Sequence, residues 1–327
     1  MGPRQARFVG HLGLLIYPDC QLSAIYGLTD IFRIAGDLAT MEGEAEPPAV
    51  RVTHWTSDER GEIARIYDSH PGADNNLTHL ITPPSLVMPH AMKPMAPLME
   101  WLNVHHEAGA TVCSVCAGAF LLGEAGLLEG RAATTHWAFA EALAERFPTV
   151  QVDVDRMVID DGDIITAGGI LAWTDLGLTL VERLLGPAVM LGTARFFLVD
   201  PPGRTQRPYS AFIPRLDHGD GAILKVQHWM QKGAGKEHGT GVLAAEARLE
   251  ERTFLRRFKK ATGLRPTEYA QQIRIAKARE ALELTRRSVD QIAWDVGYGD
   301  PGAFRKLFQR MTGLAPAEYR RRFGVAA

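Results

Sequence analysis

The carboxy-terminal third of the chain contains one seventeen-residue segment twice, and this repeat limits the possible folds more than any other feature. Residues 253–269 read TFLRRFKKATGLRPTEY and residues 303–319 read AFRKLFQRMTGLAPAEY. The identical positions are Phe254/Phe304, Phe258/Phe308, Thr262/Thr312, Gly263/Gly313, Leu264/Leu314, Pro266/Pro316, Glu268/Glu318 and Tyr269/Tyr319. A repeat of this kind indicates one supersecondary unit that is used more than once.

The repeated residues predict two short helices with the same ends. In each copy the two Phe residues are four positions apart and therefore share one helix face. The Gly suits a left-handed helix end, and the Pro prevents the helix from continuing. Between the Phe residues both copies are basic, and these residues are Leu255, Arg256 and Arg257 in the first copy and Arg305, Lys306 and Leu307 in the second.

A further short helix is predicted before each basic helix, over residues 242–248 and residues 289–296. Leu243 and Ala244 in the first occupy the same places as Ile292 and Ala293 in the second. Helix, tight turn and basic helix are typical of the helix-turn-helix, whose second helix enters the DNA major groove. A single basic helix is equally consistent with the solvated face of an ordinary bundle, but two in tandem favour DNA binding.

Residues 222–324 resemble the DNA-binding domain of AraC/XylS-type transcription regulators, in which a linker helix joins two helix-turn-helix motifs. The segment SVDQIAWDVGYGDPGAFRKLFQRMTGLAPAEYRRRF carries this resemblance without a gap. Asp300 is predicted to cap the second basic helix, with Pro301 at its first position. The linker helix is predicted over residues 267–285, with an apolar stripe of Ile273, Ala276, Ala281 and Leu284.

Residues in the amino-terminal half of a recognition helix reach base edges, and Arg or Lys reading guanine is the commonest specific contact. The expected base contacts are Arg252, Leu255 and Arg256 in the first motif and Gly302, Arg305 and Lys306 in the second. Basic residues farther along each helix are expected on phosphates or in solvent, and these are Arg257, Lys259, Lys260 and Arg310. The four repeated Phe residues and Trp294 are expected in the core.

Two residues of the first motif depart from the family pattern. Arg248 stands where the turn usually has Gly, and Glu250 stands where the cap is usually Ser. A carboxylate at the cap also faces DNA phosphates poorly. We therefore expect the second motif to bind DNA more tightly than the first.

Charge is divided unequally along the chain. Residues 1–221 carry 15 Lys and Arg against 27 Asp and Glu, whereas residues 222–327 carry 21 against 11. An asymmetry of this size indicates a polyanion-binding domain joined to a domain of another kind. The predicted domains are residues 1–200 and residues 222–327, and the Pro-, Gly- and Arg-bearing residues 201–221 form a linker.

The amino-terminal part alternates strands with helices. Strands are predicted at residues 11–17, 50–55, 77–82, 110–115, 132–135, 157–160 and 164–167, and helices at residues 23–39, 97–107, 119–125 and 172–185. This alternation predicts an α/β fold with a mostly parallel sheet and helices on both faces. No membrane span, confident signal peptide or disulfide framework is predicted, which favours a soluble cytoplasmic protein.

A turn of small residues, SVCAG, leads from a predicted strand into a helix at Cys116. Such a turn exposes its central side chain above the sheet, and the adjacent helix amino terminus would favour a thiolate. His136 ends the next strand and is expected to reach the same crevice. This segment resembles the ThiJ/PfpI and class-I glutamine-amidotransferase-like superfamily, which has a flavodoxin-like fold. More narrowly, CAGAFLLGEAGLLEGRAATTHW resembles the sensor half of GlxA-type regulators.

The resemblance implies a pocket without turnover, because the acidic residue that touches the cysteine in active members falls on Ala24. Cys116 and His136 are then vestigial catalytic candidates, and the protein is predicted not to be an enzyme. Two alternatives remain open. One is a cysteine-dependent hydrolase or amidase with an attached DNA-binding domain, and the other is a redox sensor that uses Cys116.

Ligands of open α/β sheets bind at the carboxyl ends of the strands. The expected ligand residues there are Tyr26, Cys116, His136, Trp137, Trp173 and Asp175. Trp173 is equally consistent with helix packing, and Asp175 with the start of a helix. Related regulators sense amines, amino acids or quaternary ammonium compounds, whose cations aromatic faces attract. The predicted partners are promoter DNA, such an effector, RNA polymerase and a second copy of the chain, with no cofactor and no metal.

Overall fold

The computed structural model describes residues 7–40, 48–57, 62–73, 76–93, 95–233 and 239–325. The chain divides into two compact units, Met1–Gln206 and Arg207–Ala327. The first unit is an α/β structure and the second is entirely helical among its described residues. Both halves of the predicted fold class are therefore confirmed.

The first unit contains nine strands and six α-helices among its described residues. The strands are β1 (Arg7–Ile16), β2 (Pro48–Ser57), β3 (Ile63–Asp68), β4 (His79–Thr82), β5 (Thr111–Val115), β6 (Ala132–Ala133), β7 (Gln151–Val152), β8 (Val158–Asp160) and β9 (Ile164–Ala167). The helices are α1 (Leu22–Thr40), α2 (Ala96–Glu107), α3 (Gly118–Glu124), α4 (Ala140–Arg146), α5 (Trp173–Leu185) and α6 (Pro187–Phe197). Short 3₁₀ turns lie at Pro89–Ala91 and Trp137–Phe139.

Seven strands form the main sheet in the order β3-β2-β1-β4-β5-β9-β8. The five inner strands pair in parallel, and β3 and β8 pair antiparallel at the two edges. The inner order is that of flavodoxin-like folds, which bind ligands at the carboxyl edge. Tyr17, Pro83, Cys116 and Gly168 follow the inner strands β1, β4, β5 and β9 at this edge.

Helices cover both faces of the main sheet. Side chains alternate along β1, so that Leu12 and Leu14 join one core and Leu15 joins the other. The first core is completed by α1, α5 and α6, and the second by α2, α3 and α4. The sheet is therefore buried on both sides, as the sequence predicted.

Four elements of the first unit were not predicted from the sequence. Strand β3 is mostly exposed, and its side chains therefore lack a buried alternation. Strand β7 has only two residues, and helix α4 is a single short amphipathic segment. Helix α6 begins at Pro187 directly after Gly186, where the sequence indicated only the end of the preceding helix.

The second unit consists of seven described α-helices. They are α7 (Gly221–Lys232), α8 (Thr240–Glu246), α9 (Glu251–Thr262), α10 (Pro266–Leu284), α11 (Val289–Asp295), α12 (Pro301–Thr312) and α13 (Pro316–Phe323). Helices α8 with α9 and α11 with α12 are the two predicted helix-turn-helix pairs, whereas α7 and α13 were not predicted. Among the described helices of both units, none is long and apolar enough to cross a bilayer.

Helix α10 belongs to both cores of the second unit. Its amino-terminal half supplies Tyr269, Ala270 and Ile273 to the core around α9, and its carboxy-terminal half supplies Ile275, Ala278 and Leu282 to the core around α12. The predicted stripe is wrong at two positions, since Ala276 is exposed and Leu284 is 58% exposed. A single stripe fails because the two halves of the helix pack against different partners.

Candidate nucleic-acid interface and crevice

The repeated aromatic residues build the same small core twice. The rings of Phe254 and Phe258 lie 5.4 Å apart, and those of Phe304 and Phe308 lie 5.7 Å apart. All four side chains are fully buried. In each copy the repeated tyrosine, Tyr269 or Tyr319, meets the second Phe edge-on at 5.4 Å. Because one face of α9 and of α12 is held in this core, the opposite face of each helix is directed to solvent.

The exposed faces of α9 and α12 carry most of the predicted DNA contacts. Arg252, Leu255, Arg256, Lys259 and Lys260 are exposed on α9, and Arg305, Lys306 and Arg310 are exposed on α12. Gly302 is half-buried in the first turn of α12. Arg305 donates to Asp290 of α11, and both side chains remain about half exposed. Each helix thus presents a cationic surface with its predicted base-contacting residues.

The two basic helices begin differently. Asp300 caps α12 by accepting hydrogen bonds from the amides of Gly302 at 2.8 Å and Ala303 at 3.2 Å, as predicted. Among the described residues, Glu250 at the start of α9 makes no side-chain cap bond. The preceding turn contains Arg248 with a φ of 55°, a left-handed conformation that costs a non-glycine residue about 1–2 kcal/mol. Gly297 takes the corresponding place in the second motif, with a φ of 88°.

The structure corrects two expectations in the second unit. Arg257 does not extend toward solvent as a phosphate contact, because its Nε and its terminal nitrogen donate to Asp220 at 2.9 and 2.6 Å. The same carboxylate caps α7 through the Ile223 amide. Trp294 is 57% exposed, not buried, because Ile292 and Ala293 are the residues of α11 that face the core.

Cys116 forms the sharp turn that its sequence predicted. It follows β5 with a φ of 56°, and its amide donates to the Ala167 carbonyl at 2.8 Å. Gly118 is required next, because an added Cβ would lie 2.5 Å from the Thr82 carbonyl oxygen. Thr135 fixes the turn from the other side by donating to the Cys116 carbonyl at 2.7 Å.

The expectation of a thiolate at this turn is wrong. Cys116 is 2% exposed, and burial raises the pKa of its thiol to about 12. Desolvation of the charged form outweighs the one backbone amide that lowers the pKa. The thiol is therefore neutral near pH 7.

His136 and Cys116 are not joined by a hydrogen bond among the described residues. The imidazole Nδ1 instead accepts from the Ala138 amide at 3.1 Å and begins the 3₁₀ turn at Trp137–Phe139. Its ring lies 5.2 Å from the rings of both Trp137 and Phe139. Burial lowers the pKa of His136, which favours the neutral imidazole. Among the described residues, the predicted pair therefore lacks the hydrogen bond that a nucleophile and its base require.

The remaining predicted ligand residues differ in accessibility. Asp175 is 2% exposed, and Arg204 donates to both of its carboxylate oxygens, one at 3.0 Å. It is therefore not a free anion for a ligand amine. The Trp173 ring packs on Gly27, where an added Cβ would lie 2.4 Å away. Its indole nitrogen is buried and has no hydrogen-bond partner within the described part of the chain. Tyr26 is 57% exposed.

Gln206 is a buried residue near the Cys116 turn that the sequence did not reveal. It is 2% exposed, and its amide nitrogen donates to the Thr134 hydroxyl at 3.1 Å and to the carbonyls of Thr135 at 2.8 Å and Arg156 at 3.3 Å. Its amide oxygen accepts from the Trp137 amide at 3.1 Å. Its position in a Pro- and Arg-rich stretch predicted a linker and gave no signal of burial.

Charged residues at the opposite edge of the sheet form a salt-bridge cluster. Arg131 donates to Asp163 at 2.6 Å and to Asp161 at 3.3 Å, and His106 bonds to Asp163 at 2.7 Å. The hydrogen bond from Arg131 lowers the pKa of Asp163 to about 2. In the part of the chain that the structure describes, no group of three or more His, Cys, Asp or Glu side chains is placed to hold a metal ion.

Both units match known protein families. Residues 243–322 match a helix-turn-helix domain, and residues 80–183 match the DJ-1/PfpI family. The HTH-type transcriptional regulator GlxA of Rhizobium meliloti is 30% identical over 219 residues, which cover 66% of this chain and 67% of that protein. The HTH-type transcriptional regulator CdhR of Pseudomonas aeruginosa is 28% identical over 222 residues, 64% of this chain and 63% of the relative.

One similar protein is an enzyme. An isonitrile hydratase of Pseudomonas putida is 47% identical over 76 residues, which cover 23% of this chain and 32% of the hydratase. The likeness to the two regulators is lower in identity but much longer. This chain spans 63% and 67% of the lengths of those regulators.

Proposed function

The chain belongs to the family of helix-turn-helix transcriptional regulators that carry a DJ-1/PfpI domain, and on that basis we propose that it regulates promoters in response to a small effector. The second unit would bind double-stranded DNA. The first unit would bind the effector at the carboxyl edge of its sheet. Differential affinity of the effector for two arrangements of the protein would then change promoter occupancy.

The observation that carries this proposal is the pair of exposed cationic helices, each held by a buried Phe pair. Five basic or apolar side chains on α9 and three basic side chains on α12 are exposed, beside a net-positive carboxy-terminal segment. Cationic side chains supply most of the salt-dependent affinity for DNA, and base contacts supply specificity. A purely structural bundle gives no reason for both helices to expose the same cationic face.

We assign base contacts to Arg252, Leu255, Arg256, Gly302, Arg305 and Lys306, and a phosphate contact to Lys259. One chain would occupy two successive major grooves, about 10 bp apart. The better-capped second motif would supply more of the affinity than the first. RNA polymerase and a second copy of the chain remain proposed partners, and promoter binding places the proposed site of action in the cytoplasm.

DNA binding can be tested before the promoter is identified. Duplexes are selected from a random pool with the full chain, and the affinity of the selected duplex is measured by fluorescence anisotropy at several salt concentrations. We expect affinity that falls steeply with salt and exceeds that for a shuffled duplex by about 1,000-fold or more. Equal affinity for selected and shuffled duplexes would remove sequence-specific regulation, and no binding at moderate salt would remove DNA binding altogether.

For the effector we propose an amine, an amino acid or a quaternary ammonium compound. Two aromatic side chains support a cationic effector. Tyr26 is exposed and the half-buried Trp137 lies beside His136, so a cation could contact a ring face. Asp175 is removed from this role because Arg204 holds it. A thermal-shift screen of the full chain tests the class, because only a compound that binds the folded state raises the unfolding temperature. Stabilisation by uncharged apolar compounds alone would contradict it.

We further propose that the first unit senses and does not catalyse. Its thiol is buried and neutral, and no hydrogen bond joins it to His136 among the described residues. Hydrolase activity is the second candidate, because the turn at Cys116 has the elbow geometry and a hydratase is among the similar proteins. A Cys116→Ser variant distinguishes them, since a regulator keeps its effector-dependent DNA binding. Loss of DNA binding on peroxide treatment of the wild type, but not of this variant, would instead identify a redox sensor.

A further inference from the structure

The boundary between the two units falls between two consecutive residues, and each of them is bonded within its own unit. Gln206 ends the first unit and Arg207 begins the second. Gln206 is bonded to residues of the first unit, and Arg207 is bonded to residues of the second. The predicted linker of residues 201–221 is therefore divided between the two units and does not behave as a free tether.

On the side of the first unit, Gln206 is bonded to the segment that holds the Cys116 turn. Its amide group bonds to Thr135 and to the Trp137 amide, and Thr135 in turn donates to the Cys116 carbonyl. Gly168 leaves room for this side chain, because an added Cβ would lie 2.0 Å from the Gln206 amide nitrogen. Any movement of the turn that contains Trp137 must therefore break or shift a bond to Gln206.

On the side of the second unit, the residues after Gln206 lie along helix α10, and we call residues 207–216 the strap. Arg279 of α10 donates to the Ser210 carbonyl and to the Arg207 carbonyl, the latter at 3.2 Å. Arg207 also donates to the Arg310 carbonyl of α12 at 3.4 Å. Backbone carbonyls of the strap are thus fixed by a half-buried guanidinium on the helix that both cores share.

The strap touches both helix-turn-helix cores. Phe212 packs edge-on against Tyr269 of the first core at 5.1 Å. Tyr209 packs edge-on against Phe323 of the second core at 5.5 Å, with Arg322 over its ring. Tyr209 and Phe212 are close together in the chain, yet they contact different motifs. A shift of the strap therefore changes the packing of both cores together.

From these contacts we propose that Gln206 and the strap transmit a displacement of the Trp137 turn, caused by the effector, to the two recognition helices. This route rests on the proposed regulatory function, and it connects effector binding in the first unit with the recognition helices of the second. An effector that displaces the 3₁₀ turn at Trp137–Phe139 also displaces Gln206, which is bonded to that turn. The strap then shifts along α10. The two recognition helices change their relative orientation, and affinity for the operator changes with it. Gln206 and Arg279 are positioning residues in this route and contact no DNA.

The test alters the surroundings of Gln206 in the first unit and measures the effect on the strap and on DNA affinity. Gly168→Ala in the full chain displaces Gln206 from inside the first unit. Its matched control is Gly36→Ala in α1, where an added Cβ meets no atom of the described residues within 4 Å. Gln206→Glu is a second variant of the same shape that cannot donate to the carbonyls of Thr135 and Arg156. Hydrogen exchange of the strap and affinity for the duplex selected by the wild type are measured for all three.

We expect Gly168→Ala and Gln206→Glu each to increase the exchange rate of residues 207–216 at least about five-fold and to change operator affinity by a similar factor. The control variant should change neither, and exchange in the cores of α9 and α12 should stay slow. Wild-type exchange and affinity in both variants, with the first unit folded by circular dichroism, would overturn the route. Failure of the wild type to bind any duplex would instead overturn the regulatory function, and the exchange measurement would still decide the route.

Discussion

Arg257 and Asp220 form a two-point ion pair between α9 and the first residue before α7. The guanidinium donates to both carboxylate oxygens, and this hydrogen bonding lowers the pKa of Asp220. Arg256, the preceding residue, is exposed on the face of α9 that points to solvent. Two adjacent arginines on α9 therefore have different surroundings, since Arg257 is held by Asp220 and Arg256, a proposed base contact, is exposed to solvent.

This difference predicts opposite phenotypes for two substitutions. Arg256→Ala should weaken binding to the selected duplex by about 1–3 kcal/mol, the range of one good base contact. Arg257→Ala should leave that affinity within about two-fold and lower the unfolding temperature of the second unit, because the α7 cap loses its partner. Anisotropy titration and thermal unfolding measure the two effects. A loss of affinity in Arg257→Ala equal to that in Arg256→Ala would contradict the assignment.

The left-handed Arg248 predicts a stabilising substitution. Arg248→Gly removes the steric cost of a φ of 55° and should raise the free energy of unfolding of the second unit by about 1 kcal/mol. The reverse change, Gly297→Ala at a φ of 88°, should lower it by a similar amount. Urea denaturation of both variants checks the pair. Destabilisation by Arg248→Gly would show that the arginine side chain makes a stabilising contact that outweighs the strain.

Three buried histidines in the sheet predict acid sensitivity of the first unit. Burial lowers the pKa values of His11, His54 and His79 to about 4. In the unfolded chain these groups titrate near the ordinary value of about 6.5, so the unfolded state binds more protons between these two pH values. The free energy of unfolding should therefore fall as the pH drops from about 6.5 to about 4, by at most about 1.4 kcal/mol per histidine and pH unit.

Urea denaturation followed by tryptophan fluorescence at several pH values measures this slope. His54 also hydrogen-bonds to the Thr29 hydroxyl at 2.8 Å, and His54→Gln keeps a polar group there that does not titrate. The variant should be less stable at neutral pH and should show a shallower dependence on pH. Wild-type stability that is flat across this range would mean that the histidines take up protons equally in the folded and unfolded chains.

Burial of all three cysteines predicts slow thiol chemistry. Cys20, Cys113 and Cys116 are buried, and burial raises the pKa of each thiol. A disulfide reagent at neutral pH should modify the native chain slowly and the urea-unfolded chain quickly, with three thiols released from the latter. One thiol that reacts rapidly in the native chain, and disappears in Cys116→Ser, would favour the enzyme or redox alternative.

Structural features that depend on residues close together in the sequence were predicted correctly. The repeat predicted both Phe cores, the Asp-Pro pair before the second basic helix predicted the Asp300 cap, and the run of small residues predicted the turn at Cys116. The sequence predicted a thiolate at Cys116, but burial raises the pKa of this thiol and keeps it neutral. Its burial depends on several elements packed around it, and the sequence near Cys116 contains only the helix start.

Contacts between distant residues were not predictable for the same reason. Gln206 meets Thr135, and Arg204 meets Asp175, across separations of 71 and 29 residues. Both lie in a stretch whose composition is typical of a linker. Nothing in a Pro- and Arg-rich segment distinguishes a residue that fills a buried site from one in solvent. Arg204, which occupies Asp175, and Gln206, which is bonded beside the Cys116 turn, both come from this segment.

The shared helix α10 has a consequence for the promoter. It runs through 19 residues without a break, a length of about 28 Å, and each of its halves is embedded in one DNA-reading motif. An unbroken helix of this kind holds the two motifs at a fixed separation. If about 5 bp are inserted between the two grooves that we propose the motifs contact, the second groove turns to the far side of the duplex. The DNA must then bend or twist to restore contact, or one motif must release its groove.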